Sequence, residues 1–473
     1  MIDLPRERDF LRFKILRMQR VASWIIAVSP ESIRPFWLRL RSSPMAARIA
    51  RGTFWTVSGA IISRLLGLAS SVIMARLLGK THFGEFSTIQ STIGMFGTFA
   101  GLGIGITATK YVAELRERDP ARCGRVIGFS LGAALIGGAA AGLGLVLFGG
   151  WLAAHTLADT SLAPLLRAGG ALVIFSALQG AYLGALAGFE AFKQTAWVIW
   201  AGSLAGIPLA IVCTIWLGLM GAVWALILQT AFICVLSHWA LRQEMARANI
   251  RTSFALSLHE WSMLMRFTLP VFISTMLATQ AGWLSRTLLV NQPSGYDQMA
   301  LISAANSWMN LVNFLPWTMG GVLAPIFANL YATHRRADFL KLLRHNLLLN
   351  IGVGLAFALP LMLFASLILR GYGRDFREGV PIFVLTMICG LFITLNNLFS
   401  RAMQSAGKAW IDLASNGLWA LVVLAGCWPL VHSYQGLGLV GAHTLAALAL
   451  LIWQWLFVRR LLQNACQRTA PAS

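Results

Sequence analysis

Apolar blocks about twenty residues long alternate with short polar or charged segments from Thr53 to the end of the chain. In hydrocarbon every backbone N–H and C=O must be satisfied within its own segment, so blocks of this length become transmembrane helices. The pattern predicts twelve spans, at 53–77, 84–108, 126–150, 167–188, 196–218, 221–241, 267–290, 299–329, 346–369, 380–403, 411–432 and 437–458. The Leu217–Gly221 hinge is what divides the fifth span from the sixth. The expected fold class is an all-α polytopic membrane protein, with about 12 transmembrane helices in two six-helix lobes and both termini cytoplasmic.

Composition supports this and removes soluble classes. Only 12% of the 473 residues are charged and 57% are hydrophobic, against roughly a quarter charged in a soluble domain. The net charge of +21 would suggest nucleic acid in a soluble chain. Here the basic residues sit in short loops, where they set topology and meet anionic lipid, so no nucleic-acid partner is expected. With the N-terminus inside, 29 of the 38 Lys and Arg fall in cytoplasmic segments and 7 at outside ends, namely Arg76, Lys80, Arg167, Arg286, Arg370, Arg374 and Arg377. The six cysteines are scattered, without a CxxC pair, and read as small buried thiols. The expected divisions are a basic segment at 1–52, an N-lobe at 53–241, a cytoplasmic linker at 242–266, a C-lobe at 267–458 and a tail at 459–473. Within 1–52, Leu4, Leu11, Ile15, Met18, Ala22 and Ile25 recur at near-helical spacing between arginines and lysines. That pattern describes a basic interfacial helix. The competing reading is a dispensable segment or a misassigned start, with Met45 as the real one.

The two halves resemble each other. Ala75–Gln90 and Ser285–Ile302 both place an Arg before a polar, Gly-containing turn and an aromatic residue, and a basic loop closes each following hairpin. Such internal symmetry is a transporter feature, and it places substrate between the halves near the midplane.

No enzymatic constellation appears: there is no HExxH, Walker loop or GxSxG. The informative residue is Arg64, near the middle of the first span. A central arginine costs about 2.5–3.5 kcal/mol even on insertion scales, so it faces water or a partner. Thr56, Gly59, Ala60, Ser63, Gly67 and Ser71 share its face at helical spacing. None of the seventeen acidic residues falls at mid-membrane to pair with it. An anionic ligand, a phosphate above all, suits an unpaired guanidinium. The eighth span carries a second stripe, Ser303, Asn306, Ser307, Asn310, Asn313 and Trp317. Cavity lining and interhelical hydrogen bonding are both open for it. The primary site candidates are Arg64, Ser63, Ser71, Thr279, Asn306, Asn310, Asn313 and Trp317. Gln90, Arg286, Asn397 and Arg401 are secondary, the two arginines reading as snorkelling residues near span ends. His238, His432 and His443 read as interfacial. Gly94, Gly97, Gly101, Gly105 and Ala108 form a small-residue stripe for close helix packing. Pro208, Pro316, Pro325, Pro360 and Pro429 are candidate kinks or simply tolerated bends. No cofactor or metal site is expected, and no residue identifies a coupling ion, H⁺ or Na⁺.

The stretch GTFWTVSGAIISRLLGLASSVIMARLLGKTHFGEFSTIQ (Gly52–Gln90) resembles the opening of the Wzx-type oligosaccharide flippases, or polysaccharide transporter family. That family belongs to the multidrug/oligosaccharidyl-lipid/polysaccharide (MOP) superfamily, with the multidrug and toxin exporters and the lipid II flippases. Gly295–Leu330 and Gly436–Leu450 resemble later parts of the same family. The resemblance implies two six-helix lobes around a basic cavity. It also implies movement of an undecaprenyl-pyrophosphate-linked oligosaccharide from the inner to the outer leaflet of a bacterial inner membrane, feeding O-antigen, capsule or exopolysaccharide. A polysaccharide polymerase and a chain-length regulator are the implied partners. Arg64 falls where lipid II flippases carry a cavity arginine. The chain departs from them at Ser70 and Ser71, where they have an arginine and an acid, and at Gly97–Phe99, where they have a cation. Ser285–Arg286 stands where many polysaccharide flippases have an acidic residue.

Overall fold

A computed structural model describes residues 44–101, 103–253, 258–333, 336–405 and 409–467. The predicted basic helix lies almost wholly outside them. Two compact units are distinguished, 1–57 and 58–473, and the fold described below is that of the second.

The elements are α1 (Pro44–Gly101), α2 (Ile104–Leu115), α3 (Pro120–His155), a 3-10 turn (Thr160–Leu162), α4 (Ala163–Gly188) and α5 (Phe192–Arg247). After them come α6 (Leu258–Val290), α7 (Gly295–Ala332), α8 (Arg336–Leu363), α9 (Ala365–Tyr372), a second 3-10 turn (Arg374–Gly379), α10 (Val380–Ser405) and α11 (Ala409–Gln467). Helix starts follow local chemistry. Asp119 caps α3 by accepting the Arg122 N–H at 2.9 Å, with Pro120 in the first turn. Asp159 caps the first 3-10 turn by accepting the Ser161 N–H at 2.9 Å.

Among the described residues, seven helical stretches are long and apolar enough to cross a membrane. Three of these, Val57–Gly101, Phe192–Arg247 and Leu413–Arg459, each take in two of the twelve predicted spans and contain a backbone break. Helices α6 and α7, which carry Arg286 and the asparagine stripe, lie outside the seven. The breaks occur at Gly79 (φ 77°, ψ 176°), Gly218 (φ 58°, ψ −134°) and Gln435 (φ 49°, ψ −122°). None is a proline, although Pro208, Pro360 and Pro429 all sit inside helices. The Gly218 break falls within the Leu217–Gly221 hinge.

The breaks at Gly218 and Gln435 are one turn used twice. Three residues past the first lies Gly221, where a Cβ would overlap the Cys213 carbonyl. Three residues past the second lies Gly438, where a Cβ would overlap the Leu430 carbonyl. In both turns the carbonyl belongs to the residue five before the break. The backbone thus doubles back at matching register in the two halves of the chain, and only glycine fits at the contact.

Helix α3 packs on α4, α4 on α5, and α2 on both α3 and α4. Helices α7 and α8 pack on α10, α10 on α11, and α11 on α6. Of the predicted small-residue stripe, Gly105 alone among the glycines makes a close contact, against the Gly180 carbonyl of α4. Gly94, Gly97 and Gly101 have open space where a Cβ would stand. Their spacing therefore serves the room beside α1 more than a tight helix crossing.

The largest apolar cluster joins residues from both parts of the chain, including Met74, Ile89, Leu166, Trp283, Phe376 and Phe383. Two smaller clusters are separate, one built from α2–α5 and the 248–253 segment, the other from α7, α8, α10 and α11. Direct bonds between the two parts concentrate at the end of the bundle that carries Gly79. There Arg76 Nε donates to the Gly371 carbonyl (2.6 Å), Lys80 pairs with Glu378, and Thr81 donates to Asp297 (2.6 Å). Asn291 Nδ2 donates to the Thr156 carbonyl (2.7 Å), and the Tyr296 hydroxyl to the Leu157 carbonyl (2.6 Å). Burial, then the charges of Asp159 and Glu85, push the Tyr296 phenol above its ordinary range, which keeps it a donor. Phe83 sits edge-on to Phe376 at 6.2 Å and near Tyr372 at 6.4 Å.

Candidate functional site

A cavity of 790 Å³ lies between the two parts of the bundle, walled by α1, α5, α6, α7, α10 and α11. Its polar lining comes from Ser70, Ser71, Ser87, Gln90 and Ser91 of α1, and Gln229 of α5. Helix α6 adds Thr279 and Arg286, and α7 adds Ser303, Asn306, Ser307 and Asn310. Thr386 of α10 and His443 of α11 complete it. Among the described lining residues there is no Asp or Glu, and Arg286 is the cation. The steps of three and four along α7 put Ser303, Asn306, Ser307 and Asn310 on this face, as helical periodicity dictates.

Ser71 and Ser307 share a hydrogen bond at 3.1 Å across the cavity wall, joining α1 to α7. Arg64 lies one to two turns along α1 from Gly67 and Ser71, half-buried and outside the lining itself. Its Nη1 donates to the Asn310 carbonyl at 3.0 Å, and the guanidinium stands 5.2 Å from the Phe314 ring centroid. No described carboxylate pairs with it. The cation is held by a backbone dipole and an aromatic face, neither of which neutralises it.

The predicted stripe around Arg64 divides in two. Gly67 and Ser71 face the cavity. Gly59 packs closely on Ala196, and Ser63 bonds Ser203 at 3.1 Å, so this part of the stripe holds α1 against α5. The α7 stripe divides likewise. Asn313 is buried outside the lining, where its side-chain carbonyl accepts the Thr394 hydroxyl at 2.8 Å and ties α7 to α10. Trp317 is 44% exposed and does not line the cavity. Asn397 bonds its own helix at the Ile393 carbonyl (2.9 Å), and Arg401 is half-buried; neither lines the cavity.

Two side chains stand elsewhere than the sequence pattern suggests. Arg286 does not snorkel toward the surface from the end of α6; it lines the cavity. His443 is not interfacial. It lines the same cavity, its Nε2 shares a hydrogen bond with the Ser285 hydroxyl at 3.0 Å, and its ring meets Trp419 edge-on at 5.5 Å. Both shifts have one cause. The spacing of Arg286 from the end of its span says how far it is from water along the axis, not which neighbours cover that face. Polar residues that sequence reasoning passed over, Ser87, Ser91 and Gln229, also line the cavity. The signal for Ser87 and Ser91 was present in their α1 spacing with Gln90 and Gly94. Among the described residues no three His, Cys, Asp or Glu side chains gather as a metal site.

The cavity can hold a polar or anionic group by hydroxyls, amides and guanidinium, with no carboxylate among its described lining residues. A family model described as a polysaccharide biosynthesis protein matches residues 49–331. The chain is 24% identical over 425 residues to the EPS I polysaccharide export inner membrane protein EpsE of Ralstonia nicotianae, covering 86% of this chain and 93% of that one. It is 25% identical over 422 residues to the EpsE of Ralstonia solanacearum, with the same shares covered. Its fold is that of the MOP-superfamily transporters. An inward-facing multidrug resistance MATE family transporter aligns with a TM-score of 0.76 at 15% identity, over 86% of this chain and 96% of that one. An outward-facing one aligns with a TM-score of 0.66 at 18% identity, over 90% and 97%. A MOP-superfamily transporter from Pyrococcus furiosus aligns at 0.62 and 16%, over 90% and 97%.

Proposed function

The chain belongs to the polysaccharide biosynthesis protein family, and from that premise we propose that it flips an undecaprenyl-pyrophosphate-linked oligosaccharide across the bacterial inner membrane. The movement is from the inner to the outer leaflet, by alternating access, and supplies surface or exopolysaccharide assembly. The observation that carries this reading is the polar cavity, without Asp or Glu among its described lining residues, with Arg286 in its wall and the unneutralised Arg64 at its margin. The pyrophosphate pairs with guanidinium, a geometric and electrostatic match. Hydroxyl and amide groups of α1 and α7 bond the glycan, and the prenyl chain stays in lipid. The names of the EpsE relatives, polysaccharide export proteins of the inner membrane, favour the same substrate class and location.

The proposed layout is twelve spans in two six-helix lobes, 53–241 and 267–458, joined by a cytoplasmic linker at 242–266, with both termini inside. The repeated turn at Gly218 and Gln435 supports two related lobes. The Gly79 end is then the outer one. Its cross-bonds and aromatic contacts hold that side together, while at the other end each part has its own apolar cluster. A headgroup entering from the cytoplasm loads such a state.

The test follows the lipid-linked oligosaccharide in cells lacking this protein, complemented with wild type, Arg64→Ala or Arg286→Met. The expected result is accumulation on the cytoplasmic leaflet, loss of surface glycan, and full rescue by wild type only. Normal surface glycan in the deletion strain, with no other flippase present, overturns the reading. A second reading, export of cationic drugs, is favoured by the MATE fold. It calls for a membrane carboxylate, and the cavity lining has none among its described residues. Drug susceptibility unchanged by deletion removes it.

A further inference from the structure

Five of the seven cations expected at outside ends come together in one place. Arg76 and Lys80, at the Gly79 break, meet Arg370, Arg374 and Arg377 around a hollow of 590 Å³. None of its lining residues belongs to the central cavity. Sequence position separates the two groups by almost three hundred residues, so this convergence is a product of the fold.

Two of the five cations have structural tasks. Arg76 donates from Nε to the Gly371 carbonyl at 2.6 Å and from Nη2 to the Arg370 carbonyl at 3.5 Å, capping the C-terminal end of α9. Lys80 pairs with Glu378. The other three, Arg370, Arg374 and Arg377, are exposed, and their guanidinium groups make no hydrogen bond or ion pair with a described residue. Asp375 is the one carboxylate among the described lining residues. Arg374 and Arg377 open and nearly close a 3-10 turn. Side chains three apart eclipse in that geometry, so the two guanidinium groups rise from one edge. The turn is rigidly seated, because Tyr372 just before it and Phe376 within it are buried to 1% and 2% exposure and pack together against Phe83. Unpaired guanidinium groups on a fixed frame, at helix ends where headgroups lie, repel one another until an anion sits among them. Their planar forks match phosphate oxygens.

We propose that this hollow is a second anion site, which takes the phosphate of a lipid headgroup at the outer surface. Its placement on the outer side rests on the orientation proposed above; its affinity for phosphate does not. The phosphate comes either from the prenyl pyrophosphate after crossing or from bulk anionic phospholipid.

The test titrates farnesyl pyrophosphate into the full chain in dodecyl maltoside micelles, comparing wild type with Arg374→Gln/Arg377→Gln and Arg374→Lys/Arg377→Lys. Both positions are exposed and outside the apolar cluster, so the variants fold. The expected result is two classes of binding in wild type. The Gln pair weakens one of them roughly tenfold, the scale for removing two exposed cations. The Lys pair weakens it less, and Arg286→Met leaves that class intact. An isotherm unchanged by the Gln pair overturns the proposal. Repeating the titration with added phosphatidylglycerol identifies the source. If the outer class persists, it prefers prenyl pyrophosphate; if it is displaced, it is a bulk-lipid site. Failure is separable from that of the flippase reading. The Gln pair binding like wild type while the deletion strain loses surface glycan removes only the hollow. Weakened binding with normal glycan in the deletion strain removes only the flippase.

Discussion

The central cavity and the hollow at the Gly79 end are both basic, and they hold their charge under opposite conditions. In the cavity, Arg286 is set among amides, hydroxyls and an imidazole, inside a membrane-spanning bundle. An enclosed charge is expensive unless it is paired or meets a ligand, so each one there is informative by itself. In the hollow four of the five cations are exposed and the fifth, Lys80, is paired with Glu378, so each costs little to keep. There the information lies in their number, their convergence from distant segments and the rigid turn that carries two of them. The contrast teaches that a single arginine is evidence of function in an enclosed place, whereas at an exposed surface only a geometric arrangement is.

Replacing cavity and hollow residues in turn sharpens this contrast. Arg286→Met removes the cation of the cavity lining, and surface polysaccharide is expected to fall by about a hundredfold, the upper scale for a lost charge-assisted bond. Arg286→Lys is expected to restore part of it. Arg64→Ala is expected to cost about tenfold by the same assay, because Arg64 stands at the margin and already bonds the Asn310 carbonyl. If Arg64→Ala proves the more severe, the headgroup sits toward the α1 side and the ranking of the two arginines reverses. Arg374→Gln/Arg377→Gln is expected to reduce export by no more than about threefold, since exposed charges contribute little each. A loss as large as that of Arg286→Met would place the hollow on the obligatory path.

The smallest effect concerns the repeated turn. Gly218 and Gln435 adopt nearly the same backbone, in a region where glycine alone is unstrained. Gln435→Gly is expected to stabilise the protein by about 1 kcal/mol and Gly218→Ala to destabilise it by a similar amount, read as opposite shifts in thermal unfolding of the purified protein. Negligible shifts in both variants would mean that neither turn carries backbone strain.

Much of the fold was legible in the sequence. Apolar block length exceeds what a soluble helix needs, and the bilayer leaves such blocks no other regular structure. The Leu217–Gly221 hinge was visible because glycine and a polarity dip interrupt one apolar run. The matching turn at Gln435 was less so, because its strained residue is not glycine and only Gly438 marks the contact. The candidate site was read in part. Ser71, Thr279, Asn306 and Asn310 face the cavity, with Gln90 and Arg286 from the secondary group. Ser63, Asn313 and Asn397 instead bond neighbouring helices or their own, and Trp317 stands outside.

The sequence by itself therefore determined the solvent each segment must live in, the helical class of the fold and which face of each helix is polar. Those properties depend on composition and on a period of 3.6 residues, both local. Only the tertiary structure decided what each polar face meets. Asn310 and Asn313 lie on one stripe, yet one lines a cavity and the other a helix crossing. It also decided that Arg286 and His443 share a cavity and that Arg76 meets Arg374. Such meetings follow from how helices distant in the chain are packed, and no local period carries that information.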